Sequence, residues 1–229
     1  MEFLQVKFES EEEIYKSFDQ IAHKFCNSVA LKINKSYYRI VDFEFYAYSE
    51  EIFPDPQTHK HELQKENAKF YFHGAGVDIT FGDGTNYGGI LIRGVVKLCK
   101  DSSEQNGFMM KRVEGPQNVV TEIFSNLNSL IECEPNEISL IDIETDKDIN
   151  FVSMIHCFKT KRFGLTPKDK DPKGKYADLP LRYIAVLQKT PDFEQKIKGI
   201  ESLVTNDVKE GRLKEEKAIE ILGYKKNFK

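Results

Sequence analysis

The chain has 229 residues, 40% of them hydrophobic and 31% charged, and a formal net charge of −4 at pH 7. This composition is typical of one folded globular domain and excludes a disordered chain, and no apolar run reaches the roughly 20 residues that a membrane-spanning helix needs. The net negative charge disfavours phosphate binding over the whole protein surface. The N-terminal residues lack the pattern of a secretory signal, so we expect a cytoplasmic protein.

The first predicted elements are a helix and a strand. Ser10 and Glu13 have the spacing of a capping box, and apolar residues then recur at helical intervals as far as Phe25. In residues 37–48, aromatic and β-branched side chains alternate with polar ones, which is typical of a strand. One face of this strand carries Val41, Phe43 and Phe45, and the other carries Asp42, Glu44 and Tyr46.

The rest of the chain predicts a sheet with helices around it. Residues 54–56 indicate a turn, and residues 62–67 a polar surface segment. Further strands are expected at 70–74, 77–81, 90–98, 138–143, 151–158 and 181–187, with a glycine-rich hairpin at 82–89. Helices are expected after Gly115-Pro116 and after Thr190-Pro191, with another at the C-terminus.

We therefore expect an α+β fold with a curved, mostly antiparallel sheet flanked by helices. Residues 1–190 would form the main domain, and residues 191–229 a C-terminal helical extension packed on the same domain.

The cysteines and histidines do not form a metal-binding pattern. Neither a Cys-x-x-Cys pair nor a histidine at zinc-ligand spacing accompanies the four cysteines, which are Cys26, Cys99, Cys133 and Cys157. His59, His61 and His73 are irregularly spaced as well. We expect reduced thiols, no metal and no cofactor, with stacking or neutral polar roles for the histidines.

Two charged residues are candidates for chemistry. Glu44 belongs to a strand whose other face is apolar, and a carboxylate at the wall of a cavity can act as a general base. Arg93 interrupts the apolar strand at 90–98, where a guanidinium needs an acceptor such as Glu44. The structural alternative is a salt bridge on the wet face of a sheet, and the strand pattern alone favours it.

A basic segment lies between the last two predicted strands. Its cations are Lys159, Lys161, Arg162, Lys168, Lys170, Lys173 and Lys175. This segment can face a polyanion although the whole protein is acidic. The alternative is a solvated, lysine-rich loop, which is the more common situation for an isolated run of charge.

Several short segments occur in an order that resembles a known family. The residues around Glu44 read RIVDFEFY, followed by DPQTH at 55–59, GGILIRGV at 88–95, GP at 115–116, RFGL at 162–165 and LPLRY at 179–183. They are similar to the segments R-I-V-E-x-E-A-Y, D-P-x-x-H, V-L-I-R-A, G-P, P-R-I-G-I and P-W-R-F-Y of the methylpurine-DNA glycosylase family. The resemblance covers roughly residues 14–187 and omits the C-terminal helices.

The resemblance implies a monofunctional DNA glycosylase that hydrolyses the N-glycosidic bond of an alkylated or damaged purine turned out of DNA. Glu44 would activate the attacking water, and Arg93 would help to hold the water and the carboxylate. Tyr46, His59 and Phe70 would form the base pocket, together with Asp78 near a family asparagine that tests the base edge. The intercalating position would fall at Phe72 or His73.

The same resemblance implies damaged double-stranded DNA as the partner of a monomeric base-excision repair enzyme, used at the bacterial nucleoid. Its phosphates would contact the basic segment, through Lys159, Lys161, Arg162, Lys168 and Lys170. No lysine is expected to attack the sugar, so no strand cleavage is expected.

The chain also departs from the family pattern. Asp42 replaces the first glutamate of the motif, Phe45 replaces a small residue, the intercalating tyrosine is missing and the loop after His59 is shortened. Two other functions therefore remain open. One is a nucleic-acid-binding protein of the same fold that has lost catalysis, and the other is a hydrolase of free nucleosides or another N-ribosyl compound.

Overall fold

The computed structural model describes residues 2–98, 110–129, 131, 134–143, 154–171, 173–188 and 197–228. The helices are α1 (Glu11–Asn27), α2 (Pro116–Ser125), α3 (Ile200–Lys209) and α4 (Glu215–Leu222), with short 3-10 helices at Glu2–Leu4 and Glu62–Lys65. The strands are β1 (Val29–Ile33), β2 (Ser36–Ser49), β3 (Phe53–Pro54), β4 (Asn67–His73), β5 (Gly76–Phe81), β6 (Tyr87–Leu98), β7 (Met110–Glu114), β8 (Ile138–Asp142), β9 (Met154–Thr160) and β10 (Arg182–Leu187).

The described strands form one ten-stranded sheet with the order β4-β5-β6-β2-β1-β8. β3 and β10 also pair with β2, β7 pairs with β6, and β9 pairs with β10. All the described pairings are antiparallel, and bulges interrupt the register of β2 and β6 around Asp42. Bulges increase local twist and bend a sheet, and this one curves into a half-barrel. The predicted α+β class with a curved antiparallel sheet is confirmed.

Aromatic packing between α1 and β2 fills the main core. Ser10 Oγ accepts the backbone N–H of Glu13 at 3.2 Å and begins α1 as the capping box predicts. The helix then places Phe18 on Phe45, with ring centroids 4.4 Å apart, and Phe25 on Phe43, with centroids 5.3 Å apart. Each fully buried aromatic side chain contributes about 1.5–3 kcal/mol of transfer free energy, so this contact fixes which face of β2 is core.

A second apolar cluster attaches the C-terminal helices to the sheet. Val204 of α3 and Ile221 of α4 pack in a cluster with Phe158 of β9 and Ile184 of β10. Neighbouring residues of β10, such as Tyr183, belong to the main core, so this strand is buried on both faces. The expected helix start at Thr190-Pro191 and residue Phe193 lie outside the described residues, as do Cys99 and Cys133. None of the described helices combines the length and apolar character needed to cross a lipid bilayer.

A buried ion pair joins two distant segments behind β2. Arg162 Nη1 lies 2.7 Å from Asp55 Oδ2 and donates to the carbonyl oxygen of Phe45 at 3.1 Å, and Nη2 donates to the carbonyl oxygen of Tyr176 at 2.6 Å. The side chains of Arg162 and Asp55 are both inaccessible to solvent. The expected DNA-backbone contact of Arg162 is therefore wrong, because its guanidinium is buried inside the protein and paired with Asp55.

This pair makes a testable contribution to stability. Asp55→Ala leaves the Arg162 guanidinium buried without its counter-ion, and we expect the free energy of unfolding to fall by about 3–5 kcal/mol. Asp169→Ala, in the same region but at an exposed side chain, should change it by less than about 0.5 kcal/mol. Urea unfolding measures both. Equal effects of the two substitutions would contradict a structural role for the pair.

Candidate active site

Strand register brings the candidate residues into one row across the sheet. Asp78 of β5 is paired with Leu91 of β6, which is paired with Glu44 of β2, which in turn is paired with Arg182 of β10. Directly paired residues project from the same face of a sheet. Adjacent strands lie about 4.8 Å apart, so the backbones of Asp78 and Glu44 are about 10 Å apart. Asp78, Glu44 and Arg182, which are far apart in sequence, thus lie in one row on the same face of the sheet.

Glu44 is fully buried, and protein donors surround its carboxylate. The backbone N–H of Phe163 donates to Oε1 at 2.7 Å, and the Tyr46 hydroxyl donates to Oε2 at 2.9 Å. Arg93 Nε lies 3.3 Å from Oε1 and Arg182 Nε 3.8 Å from the same atom. Asp42, the other acid of this face, is held by Arg182 at 2.8 and 2.6 Å.

Burial controls the electrostatics of Glu44. Loss of solvent raises the pKa of Glu44, and Arg93, the Phe163 N–H and the Tyr46 hydroxyl oppose this shift without cancelling it. Burial, and then the neighbouring Glu44 carboxylate, also raises the pKa of Tyr46, so its hydroxyl remains a proton donor. The pKa of the Glu44 carboxyl group therefore lies above the usual pKa of a glutamate side chain.

Arg93 reaches Glu44 from an irregular position in β6. The pairing of β2 with β6 shifts register between Asp42↔Gly94 and Phe43↔Ile92, which leaves Arg93 as the extra residue. A bulge of this kind redirects a side chain. The Arg93 guanidinium lies 5.1 Å from the ring centroid of Phe163, and its side chain is 13% exposed. Arg93 thus touches both the buried carboxylate and open space.

That open space is a cavity of about 270 Å³ beside the row of charged residues. Its aromatic walls include Tyr46, His59 and Phe163, and the remaining lining residues are Gln57, Gln64, His73, Ala75, Asp78, Leu91, Arg93, Pro116, Leu165 and Lys168. Glu44 itself lies behind this wall, covered by Tyr46, Arg93 and Phe163. The cavity is therefore flanked by flat rings, with Glu44 adjacent to it but not in contact with it.

Asp78 forms a second polar wall of the cavity. Its Oδ1 lies 3.0 Å from His73 Nε2, and its Oδ2 accepts from Gln64 Nε2 at 3.0 Å. Gln64 is fixed in turn by the backbone N–H of His61, which donates to Gln64 Oε1 at 3.2 Å. Asp78 is 3% exposed and Gln64 is 1% exposed. Gln64 is therefore a buried part of the site, whereas the sequence predicted a polar surface segment there.

His59 lies at the rim, beside the same cluster. Its ring is perpendicular to the His73 ring, with centroids 4.7 Å apart. Burial, and then the neighbouring His73, lowers the pKa of His59, while Asp78 opposes the shift. A lowered pKa favours the neutral imidazole at neutral pH, which suits stacking better than proton donation. Among the described residues, no cluster of His, Cys, Asp and Glu side chains is arranged to hold a metal ion.

Two of the three aromatic candidates, Phe70 and His73, lie elsewhere than the sequence indicated, and Phe72 is partly exposed. Phe70 pairs with Ile79 and packs against the main core, so it does not line the cavity. Phe72 is on the same face of β4 as Phe70, with its ring 5.4 Å from that of Phe124. The side chain of His73 is on the opposite face, 8% exposed and bonded to Asp78. An intercalating role for His73 is therefore wrong in this conformation, because its ring is buried in the cavity wall.

The remaining basic candidates differ in exposure. Lys168 lines the cavity and donates to the carbonyl oxygen of Pro56 at 3.0 Å. Lys161 and Lys170 are exposed, and Lys161 Nζ lies 3.4 Å from Asp178. Lys159 is half-buried and its Nζ lies 2.6 Å from Asp19 Oδ1. Only part of the basic segment is thus open to a polyanion.

The sequence missed several residues of the site. Phe163 was noted only within a motif, although its N–H and ring contact Glu44 and Arg93. Gln57 lines the cavity, and its Nε2 donates to the carbonyl oxygen of Thr166 at 2.8 Å. This hydrogen bond ties Gln57 to the segment that follows Phe163. No local periodicity marks either residue. The DPQTH and RFGL segments, which contain them, were the available signal.

Comparison with known proteins leaves the family open. No family model matches the chain. The chain is 27% identical over 198 residues to a protein of Acanthamoeba polyphaga mimivirus described as "Uncharacterized protein L759", and the alignment covers 73% of this chain and 85% of that protein. This description names no activity. The resemblance to methylpurine-DNA glycosylases therefore stays a prediction based on short motifs.

The raised pKa of Glu44 can be measured directly. The infrared C=O band of the protonated Glu44 carboxyl group is identified as the band that Glu44→Gln lacks. In the wild type, this band should persist at pH values above the range in which glutamate side chains usually lose their proton. Tyr46→Phe removes a hydrogen bond to the carboxylate, so it should move the disappearance of the band to still higher pH. A folded-state pKa above the unfolded value also means that the stability contributed by protonated Glu44 is lost as pH rises through that folded-state pKa. A band that vanishes in the usual range would contradict this assignment.

Proposed function

We propose that this protein hydrolyses the N-glycosidic bond of a damaged purine rotated out of double-stranded DNA. The observation that carries the proposal is the Glu44–Arg93 ion pair behind a small cavity with aromatic walls. A volume of about 270 Å³ lies near the lower end for ligand pockets, so it suits one nucleobase better than a whole nucleotide. Rotation out of the duplex is required because the reacting sugar carbon is inaccessible within the base stack.

The proposed reaction is attack of water on the anomeric carbon. The Glu44 carboxylate accepts a proton from the water, the new C–O bond forms, and the C–N bond breaks with its electron pair leaving on the purine. Arg93 orients the carboxylate and partly offsets its charge. An alkylated purine is already cationic and leaves as a neutral base, so no protonated His59 is required.

Water must first reach Glu44. The groups that cover the carboxylate are the Tyr46 hydroxyl, the Phe163 N–H and Arg93. Phe163 is the most exposed of these residues at 61%, and it belongs to a segment outside regular secondary structure. We propose that entry of the base displaces the Phe163 segment and admits the water. Binding energy of the base would then be used to complete the catalytic arrangement.

The lysine on the cavity supports hydrolysis without strand cleavage. Lys168 is exposed, and its Nζ donates to the carbonyl oxygen of Pro56. A lysine that attacks a sugar is usually activated in an apolar pocket or beside another cation. We therefore propose that the enzyme is monofunctional, with exposed Lys161 and Lys170 contacting phosphates.

One observation favours a second function, base recognition without hydrolysis. Glu44 has no solvent-accessible surface, and both of its oxygens are engaged by protein donors. If these contacts do not open, the carboxylate serves only to hold Arg93 and the Phe163 segment. The same cavity would then bind an extruded base and release it unchanged.

Single-turnover base release separates the two functions. Duplexes that carry one alkylated purine or hypoxanthine are incubated with excess protein, and abasic sites are counted after alkali treatment. We expect release by the wild type and a rate about 10²–10⁴-fold lower for Glu44→Gln, because the general base is lost. Glu51→Gln makes the same chemical change at an exposed residue and should retain the wild-type rate.

The other outcomes assign the function differently. If the wild type binds these duplexes tightly and releases no base from any of them, hydrolysis is refuted and the recognition function stands. Equal rates for wild type and Glu44→Gln would remove Glu44 from the reaction. DNA binding should also weaken steeply with added salt, whereas a free nucleoside should bind with little salt dependence.

A further inference from the structure

Two free thiols face each other where α1 lies against β9. Cys26 is in the last turn of α1, and Cys157 is at the centre of β9. Their Sγ atoms are 3.4 Å apart, although the residues are 131 positions apart in sequence. A disulfide bond is about 2.05 Å long, so a movement of roughly 1.4 Å brings the two sulfurs to bonding distance. The fold therefore brings both halves of a possible disulfide to one contact between a helix and a strand.

Neighbouring contacts hold the two thiols in this arrangement. Asp19 lies seven positions before Cys26, which places both side chains on one face of α1. Lys159 lies two positions after Cys157, on the same face of β9. Lys159 Nζ lies 2.6 Å from Asp19 Oδ1, and the Tyr183 hydroxyl of β10 donates to the same oxygen. These contacts tie α1 to both strands, so the thiols stay close in the folded protein.

The two thiols differ in access and in reactivity. Cys26 is 1% exposed, whereas Cys157 is partly exposed. The hydrogen bond with Cys26, and then burial, raise the pKa of the Cys157 thiol, and the Asp19 carboxylate adds to this shift. Cys157 is therefore protonated at neutral pH and lacks the thiolate that reacts rapidly with peroxides. This chemistry suits slow exchange with a disulfide that reaches Cys157 from solution.

We propose that Cys26 and Cys157 form a thiol–disulfide exchange site, which accepts small disulfides of the glutathione type and cross-links α1 to β9. In the first step, the Cys157 sulfur loses its proton and attacks one sulfur of the small disulfide, whose S–S bond breaks and releases one thiol. In the second step, the Cys26 sulfur loses its proton and attacks Cys157 Sγ, and the mixed S–S bond breaks and releases the second thiol. Two protein thiols are thus oxidised, and one small disulfide is reduced to two thiols that take up the two protons.

The cross-link stabilises the folded state. It closes a loop that runs from the end of α1 through β1 to β9, and it therefore restricts the unfolded chain. On the opposite face of β9, Phe158 packs with the C-terminal helices. Three positions after β9 lies Phe163, whose N–H donates to Glu44. The new bond thus links α1 to the strand from which both of these features extend, and the oxidised protein should resist heat better than the reduced one.

Equilibration of the full-length protein with glutathione tests the proposal. Fully reduced protein is incubated in buffers of rising glutathione-disulfide content, quenched with acid, digested and analysed by mass spectrometry without reduction. We expect a cross-linked pair of peptides that contains Cys26 and Cys157 and is lighter by two hydrogen atoms than the separate peptides. Its formation should raise the melting temperature by roughly 5 °C or more, and dithiothreitol should reverse the rise.

Three variants identify the individual steps. Cys26→Ser should stop at the mixed disulfide, so that Cys157 retains one attached glutathione. Cys157→Ser should leave Cys26 unmodified, because that thiol is buried. Cys99→Ser retains both thiols of the pair and should form the cross-link as the wild type does.

The wild type alone can overturn the proposal, so the test does not depend on the folding of any variant. The proposal fails if the folded wild type remains fully reduced at the highest glutathione-disulfide content, or if either thiol pairs with Cys99 or Cys133 instead. It also fails if the cross-link forms only after unfolding in urea. None of these results depends on the release of a base from DNA.

Discussion

The buried carboxylate of Glu44 is the constraint on which the rest of the site depends. Removing a carboxylate from water costs several kcal/mol, so the fold must surround it with donors. These donors come from β2, β6, β10 and the segment after β9, through Tyr46, Arg93, Arg182 and the Phe163 N–H. They converge only when the whole sheet has formed. Folding and assembly of the site are therefore one event, and the buried Asp55–Arg162 pair fixes the residue that precedes Phe163.

Much of this arrangement follows from local sequence pattern. Alternation along residues 37–48 predicted the polar face of Asp42, Glu44 and Tyr46, and an arginine inside an apolar strand predicted the partner of Glu44. The mostly antiparallel sheet followed from the succession of short strands with a hairpin connection between them. These signals are local or need only charge balance, which is why they can be found without a structure.

Other features depend on long-range geometry and were not predictable. Arg162 belongs to a lysine-rich segment, and only a partner 107 positions earlier shows that it is buried. Phe70 and His73 differ by an odd number of positions on β4, so they face opposite ways, and nothing in the sequence decides which face meets the cavity. Gln64 lies in a polar stretch typical of a surface, yet it is buried because Asp78 accepts its amide N–H.

In the proposed complex, the cavity holds a purine and Glu44 lies beside the sugar. The most direct measurement is a crystal structure of Glu44→Gln bound to a duplex that carries one N-alkylated purine. The predicted result is a base rotated out of the duplex into the cavity against Tyr46 and His59, with its N-glycosidic bond intact beside residue 44. A base that remains stacked in the duplex, with the cavity facing away from the DNA, would contradict the central claim.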